Sequence, residues 1–153
     1  MKTVLVDTGP LVAYLNRRER FHAWAVDILA EIRPPLLTCE AVLSEAAFLT
    51  AGLGGGHRLM EFLRRELIRV DFRVADEADA LAALLKRYAS VPMALPDACL
   101  VRMSEMQSDC VVLTLDSEFR DIYRRRGRSV IPCLLPPGRL ERRSNAKRRR
   151  RRG

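Results

Sequence analysis

Apolar and polar positions alternate in blocks along the chain. Val4-Leu5-Val6 is an apolar run that ends on Asp7 and the polar turn Thr8-Gly9-Pro10. A run bounded in this way reads as a buried strand. Thr8 reads as the cap of a helix that starts near Pro10 and ends at Asn16, because proline suits the first helical position. Trp24, Ile28 and Leu29, with Ala25 and Ile32 beside them, have helical spacing over 22–32, and Pro34-Pro35 stops that helix. Leu36-Leu37-Thr38 reads as a second buried strand. Residues 39–51 read as a helix in which Ser44 and Glu45 intrude beside Val42, Leu43, Ala46, Ala47 and Leu49. A glycine-rich break at 52–56 precedes an amphipathic helix over 58–67 and an alternating strand over 68–72, near a sheet edge. Asp76 reads as the cap of a helix over 76–88, with Leu81, Leu84 and Leu85 as its core stripe. After a loop, Pro96 opens a helix over 97–106 with Asp97 in its first turn. Residues 111–115 form a second clean strand ending on Asp116. A short helix over 119–126, stopped by Gly127, and a last strand over 129–131 follow.

Strands alternating with helices predict βαβ units, so an α/β fold with a central, mostly parallel sheet and helices on both faces. Pro136-Pro137-Gly138 marks the end of the domain, giving one domain over 1–135 and a tail over 136–153. No apolar run approaches the ~20 residues of a membrane helix. The apolar N-terminal run is too short for a signal peptide, so a cytoplasmic address and no membrane are expected. Cys39, Cys99, Cys110 and Cys133 form no C-x-x-C pair and read as reduced, buried thiols. His22 and His57 lack neighbouring ligand spacing. The net charge of +8 sits in the tail. Nine of the 27 basic residues but only Glu141 of the 19 acidic ones fall within 139–153, which leaves 18 of each in the body. That tail lacks the apolar residues needed to fold alone and is read as disordered; it suits salt-dependent neutralisation of phosphates.

Four carboxylates stand out. Asp7 and Asp116 follow buried strands, Asp97 opens a helix, and Glu45 interrupts an apolar helical face. If the two strands are parallel neighbours, their carboxyl ends share one sheet edge, where ligands bind in such folds. Like charges about 4 Å apart repel by roughly 4 kcal/mol at an effective dielectric near 20. Such a cluster must hold protons or bind a cation. An all-oxygen donor set favours Mg²⁺ or Mn²⁺ over zinc and suits metal-assisted phosphodiester hydrolysis. Each acid also has a plainer reading: Asp7 as a helix cap, Asp97 as a dipole partner, Asp116 as a turn residue, Glu45 as a surface charge with Glu40 as its rival.

Val4-Leu5-Val6-Asp7-Thr8-Gly9-Pro10-Leu11, Leu43-Ser44-Glu45-Ala46, Leu95-Pro96-Asp97-Ala98 and Leu113-Thr114-Leu115-Asp116-Ser117-Glu118-Phe119 resemble the acidic motifs of PIN-domain ribonucleases. Size and motif order resemble VapC-type toxins of toxin–antitoxin pairs. The resemblance implies a three-layer α/β/α fold and a Mg²⁺- or Mn²⁺-dependent endoribonuclease. It also implies a homodimer and a cognate antitoxin protein. By position, Asp7, Glu45, Asp97 and Asp116 match the acidic residues that hold metal and carry catalysis. Two features depart from the family pattern: Arg102 shortly after Asp97, which would bring a basic side chain towards the site, and the arginine-rich tail.

Two rival functions remain. One is a catalytically idle PIN-fold module that binds RNA or a protein partner. The other is a phosphohydrolase of small phosphoesters, which wants an Asp-x-Asp pair after the first strand; Gly9 stands where the second would be.

Overall fold

The structure is a computed structural model that describes residues 2–138. The basic tail expected from the sequence falls, beyond Gly138, outside the described residues. Strands β1 (Thr3–Val6), β2 (Leu36–Thr38) and β3 (Ile68–Val70) alternate with helices α1 (Thr8–Leu15), α2 (His22–Glu31), α3 (Glu40–Leu49) and α4 (Gly55–Arg64). Then come α5 (Ala78–Arg87), α6 (Leu95–Met106), β4 (Cys110–Leu113) and α7 (Glu118–Asp121). Three two-residue strands end the described chain: β5 (Arg124–Arg125), β6 (Ser129–Val130) and β7 (Cys133–Leu134).

The main sheet has the order β3-β2-β1-β4-β7, and every pairing in it is parallel. Val6 lies opposite Leu113, and Leu5 lies between Leu37 and Val112. Leu5, Val6, Val112 and Leu113 are fully buried, as expected of strands covered on both faces. The chain winds from β1 outward to β3, then crosses back past β1 to β4. Right-handed crossovers place helices on opposite faces when the winding direction reverses. Accordingly α1 packs on α2 and α3, α3 on α4, and α5 on α6. This is the three-layer, PIN-like arrangement. The reversal falls between β1 and β4, so the carboxyl ends of these two strands flank the crevice where an open α/β sheet binds its ligand.

Several boundaries differ from the sequence expectation, each for a local reason. The first helix begins at Thr8, and Asp7, not Thr8, is its cap. The fourth helix starts at Gly55, because Gly54 takes a left-handed conformation, φ 68°, that turns the chain into it. Asp76 lies in a 3₁₀ turn, Val74–Glu77, and α5 begins after it. The helix expected over 119–126 lasts only from Glu118 to Asp121. Arg124–Arg125 pairs instead with Ser129–Val130 in an antiparallel hairpin, so 129–131 is no strand of the main sheet. Cys133–Leu134 fills the edge beside β4. Cys39, Cys99 and Cys110 are buried free thiols, and Cys133 is a half-buried one. Among the described residues no helix is long and apolar enough to cross a membrane.

Candidate active site

Asp7 follows the last residue of β1 and is 7% exposed. Its backbone N–H donates to the Leu113 carbonyl at 3.0 Å, which extends the β1–β4 pairing by one residue. Its carboxylate accepts on both oxygens: Oδ1 from the Thr8 N–H at 2.7 Å, Oδ2 from the Thr114 hydroxyl at 2.7 Å. Capping and site placement are thus one geometry. The residue that ends the strand also receives the first helical N–H. Gly9 is required here, since a Cβ at that position would stand 2.9 Å from the Leu115 side chain.

Thr114 links the two strand ends. Its Oγ1 donates to Asp7 and accepts the Asp116 N–H at 2.9 Å. Asp116 Oδ1 in turn accepts the Glu118 N–H at 3.0 Å. Across the crevice, Asp97 sits in the first turn of α6, and its Oδ2 accepts the Ala94 N–H at 3.1 Å. The same oxygen receives the Tyr123 hydroxyl at 3.4 Å, and that hydroxyl also lies 3.2 Å from Glu118 Oε2. Tyr123 is fully buried, wedged edge-on between Tyr88 and Phe119. Glu45 differs from expectation. It is solvent-exposed on α3, not buried among apolar neighbours. It still reaches the site, because its Oε2 accepts the Thr8 hydroxyl at 3.2 Å.

The electrostatics follow from this crowding. Burial raises the Asp7 carboxyl from the ordinary 3.8 to about 7; hydrogen bonds from Thr114 and Thr8 oppose the rise, and the charges of Asp97 and Asp116 add to it. Burial likewise raises Asp97 to about 6, with Asp116 and Glu45 pushing further and the Ala94 N–H and Tyr123 pulling back. The Tyr123 hydroxyl is raised, first by burial and then by Asp97 and Asp116. Among the described residues neither Asp7 nor Asp97 forms an ion pair with a Lys, Arg or His side chain. Nor do any three Asp, Glu, His or Cys side chains among them stand close enough together, as placed, to hold a metal ion. Arg102 does not enter the site: its guanidinium is engaged by Glu77 at 2.8 Å and Glu105 at 3.5 Å.

The structure therefore brings Asp7, Asp97 and Asp116 to one crevice and sets Glu45 at its rim. Glu118 and Tyr123 join the site without standing out in the sequence. Both lie in or just after the Asp116 motif, and a tyrosine five residues beyond a glutamate, Glu118 to Tyr123, was the available signal. Carboxylates that retain protons near neutrality suit a hard divalent cation or a proton-transfer step.

A model of the PIN domain family matches residues 4–125. Among solved structures, Mycobacterium tuberculosis VapC20, titled a Sarcin-Ricin loop cleaving toxin, superposes with a TM-score of 0.66 at 20% identity. The match covers 76% of this chain and 92% of that one, and at this identity it speaks for the fold. No curated protein matches. With the family match spanning both strand ends and three of the helices that frame the crevice, the chain belongs to the PIN-domain family.

Proposed function

We propose that the protein is a divalent-metal-dependent endoribonuclease, the toxin of a pair whose partner protein is an antitoxin. One observation carries this reading. Two carboxyls at the switch point of the sheet are raised to about 7 and about 6, with no ion-paired Lys, Arg or His side chain among the described residues to relieve them. A carboxylate buried in this way, with further carboxylates beside it, is relieved by a proton or by a cation from solution. The donor set is all oxygen and so fits Mg²⁺ or Mn²⁺. Asp7 and Asp97 would hold the ion, with Asp116 and Glu45 completing the set. A cation there neutralises charge growing on a phosphate and lowers the pKa of a bound water. Thr114 fixes the Asp7 carboxylate and the Asp116 backbone together, and Tyr123 holds Asp97.

Phe48 and Leu49 on α3, Leu53 in the 3₁₀ turn after it and Met60 on α4 are 80%, 54%, 52% and 47% exposed. Large apolar side chains exposed in this number on neighbouring elements support assembly with a second copy. The cytoplasm is the expected compartment.

The spread of the carboxylates favours a second reading, the catalytically idle module that binds RNA or protein. Incubation of total RNA with the protein and Mn²⁺ separates the two. Cleavage that is lost with EDTA and in Asp7→Asn and Asp97→Asn supports the nuclease. Intact RNA under every metal, or equal cleavage by Asp7→Asn, removes it.

A further inference from the structure

The hairpin β5–β6 carries a charge that the site itself does not use. Between residues 120 and 128 stand five arginines against one acid, Asp121, in a body whose charges sum to zero. They divide by their contacts. Arg120 is neutralised by Asp121 through two bonds of 2.7 and 3.0 Å. Arg124 donates to the carbonyls of Arg120, Asp121 and Tyr123, and Arg125 to that of Gln107; these two anchor the hairpin to α7 and α6. Arg126 and Arg128 stand on the exposed turn, where Arg126 Nη2 donates to the Glu105 carbonyl at 3.1 Å. Exposed Arg87, the last residue of α5, joins them. A Cβ on Gly127, which takes φ 68°, would stand 2.7 Å from Arg87 Nη1. Glycine at the tip therefore lets a third guanidinium settle against the turn. Among the described residues no carboxylate forms an ion pair with Arg87, Arg126 or Arg128. Glu105, the acid nearest the hairpin, takes the Arg126 backbone N–H and directs its other oxygen to Arg102.

Three like charges gathered on one turn repel one another unless an anion lies between them. The turn packs against the carboxyl-terminal end of α6 at Glu105 and Gln107, about 12 Å along that helix from Asp97. Arg124 directly follows Tyr123, whose hydroxyl touches Asp97 and Glu118. A polyanion approaching a crevice lined with carboxylates is repelled by it, so the substrate needs positive charge within a few nucleotides of the crevice to dock. We propose that Arg87, Arg126 and Arg128 form a surface that grips the phosphate backbone of the RNA strand flanking the bond to be cut. This rests on the nuclease reading and names where its substrate is held. The surface binds phosphates without reading bases, since guanidinium–phosphate contacts position a strand but do not specify sequence.

Binding of a fluorescein-labelled single-stranded oligoribonucleotide to the full chain, in EDTA and across a KCl series, tests it. Each phosphate contact on a single strand contributes about 0.7 to the slope of log K against log salt. The triple variant Arg87→Gln, Arg126→Gln, Arg128→Gln should thus lower the slope by about 2. The charge-matched variant Arg17→Gln, Arg18→Gln, Arg20→Gln should leave it unchanged. Those three exposed residues follow α1, which runs away from the crevice. An unchanged slope in the hairpin variant, or an equal fall in both, overturns the proposal. Binding is read without cleavage, so the two ideas fail separately. A protein that never cuts RNA yet loses its slope with the hairpin arginines removes only the nuclease. A cutting protein whose slope ignores them removes only this surface.

Discussion

Replacing Asp7 with asparagine should destroy activity and yet stabilise the metal-free protein. Asp7 is 7% exposed and its carboxyl is raised from 3.8 to about 7 by burial, despite two hydrogen bonds. A raised carboxyl pKa means that the fold favours the protonated form. The associated stability is fully present below about pH 4, declines as pH rises, and is lost above about pH 7. At about 1.4 kcal/mol per unit, the deficit at pH 8 has a ceiling of roughly 4 kcal/mol. Asparagine has the shape of the protonated acid but no charge. Its oxygen can keep the Thr8 N–H, while its NH₂ must face Thr114 Oγ1, so part of the gain is forfeited. Allowing about half, Asp7→Asn should gain roughly 2 kcal/mol at pH 8. For a chain of this size that is a rise in Tm of about 4–8 °C. Thermal melts in EDTA at pH 8 and pH 4 read the effect. The variant should melt higher at pH 8 and level with the wild type at pH 4. A variant that is less stable by the same amount at both pH values would refute the reasoning, because Asp7 would then act as a helix cap alone.

Thr114→Val removes the hydroxyl that joins Asp7 to the Asp116 backbone; it should cost about 1–3 kcal/mol in stability by leaving buried groups unbonded, and chemical denaturation measures this. Tyr123→Phe keeps the edge-on packing against Tyr88 and Phe119 but frees Asp97; cleavage should fall while Tm stays within a few degrees, consistent with loss of about one hydrogen bond. Deletion of 139–153 removes eight arginines and one lysine and should flatten the salt dependence of RNA binding in an anisotropy titration; an unchanged slope would show that the tail does not touch RNA.

The parts of the site fixed by local chemistry were legible in the sequence. Asp7 and Asp116 follow apolar runs that can only be buried strands, and the alternation of elements forced those strands to be parallel. Asp97 was legible through Pro96, which marks a helix start. What escaped depended on tertiary contacts. Glu45 reads as an inward residue by helical phase, yet the helix turns it to solvent and the Thr8 hydroxyl recovers it. Tyr123 sits in an arginine-rich stretch whose composition suits a helix. Positive φ at Arg126 and Gly127, 53° and 68°, folds that stretch back as a hairpin instead. The edge strand Cys133–Leu134 is two residues long, too short for any periodicity to reveal.

The proposed nuclease requires Asp7 after β1, Asp97 in α6 and Asp116 after β4 to serve a single divalent ion. Calorimetric titration of Mn²⁺ into the metal-free protein tests it most directly. Saturable binding is expected, weakened tenfold or more by each of Asp7→Asn, Asp97→Asn and Asp116→Asn, on the order of 1.4 kcal/mol or greater. Wild-type protein that takes up no Mn²⁺, or variants that bind it as tightly as wild type, would contradict it.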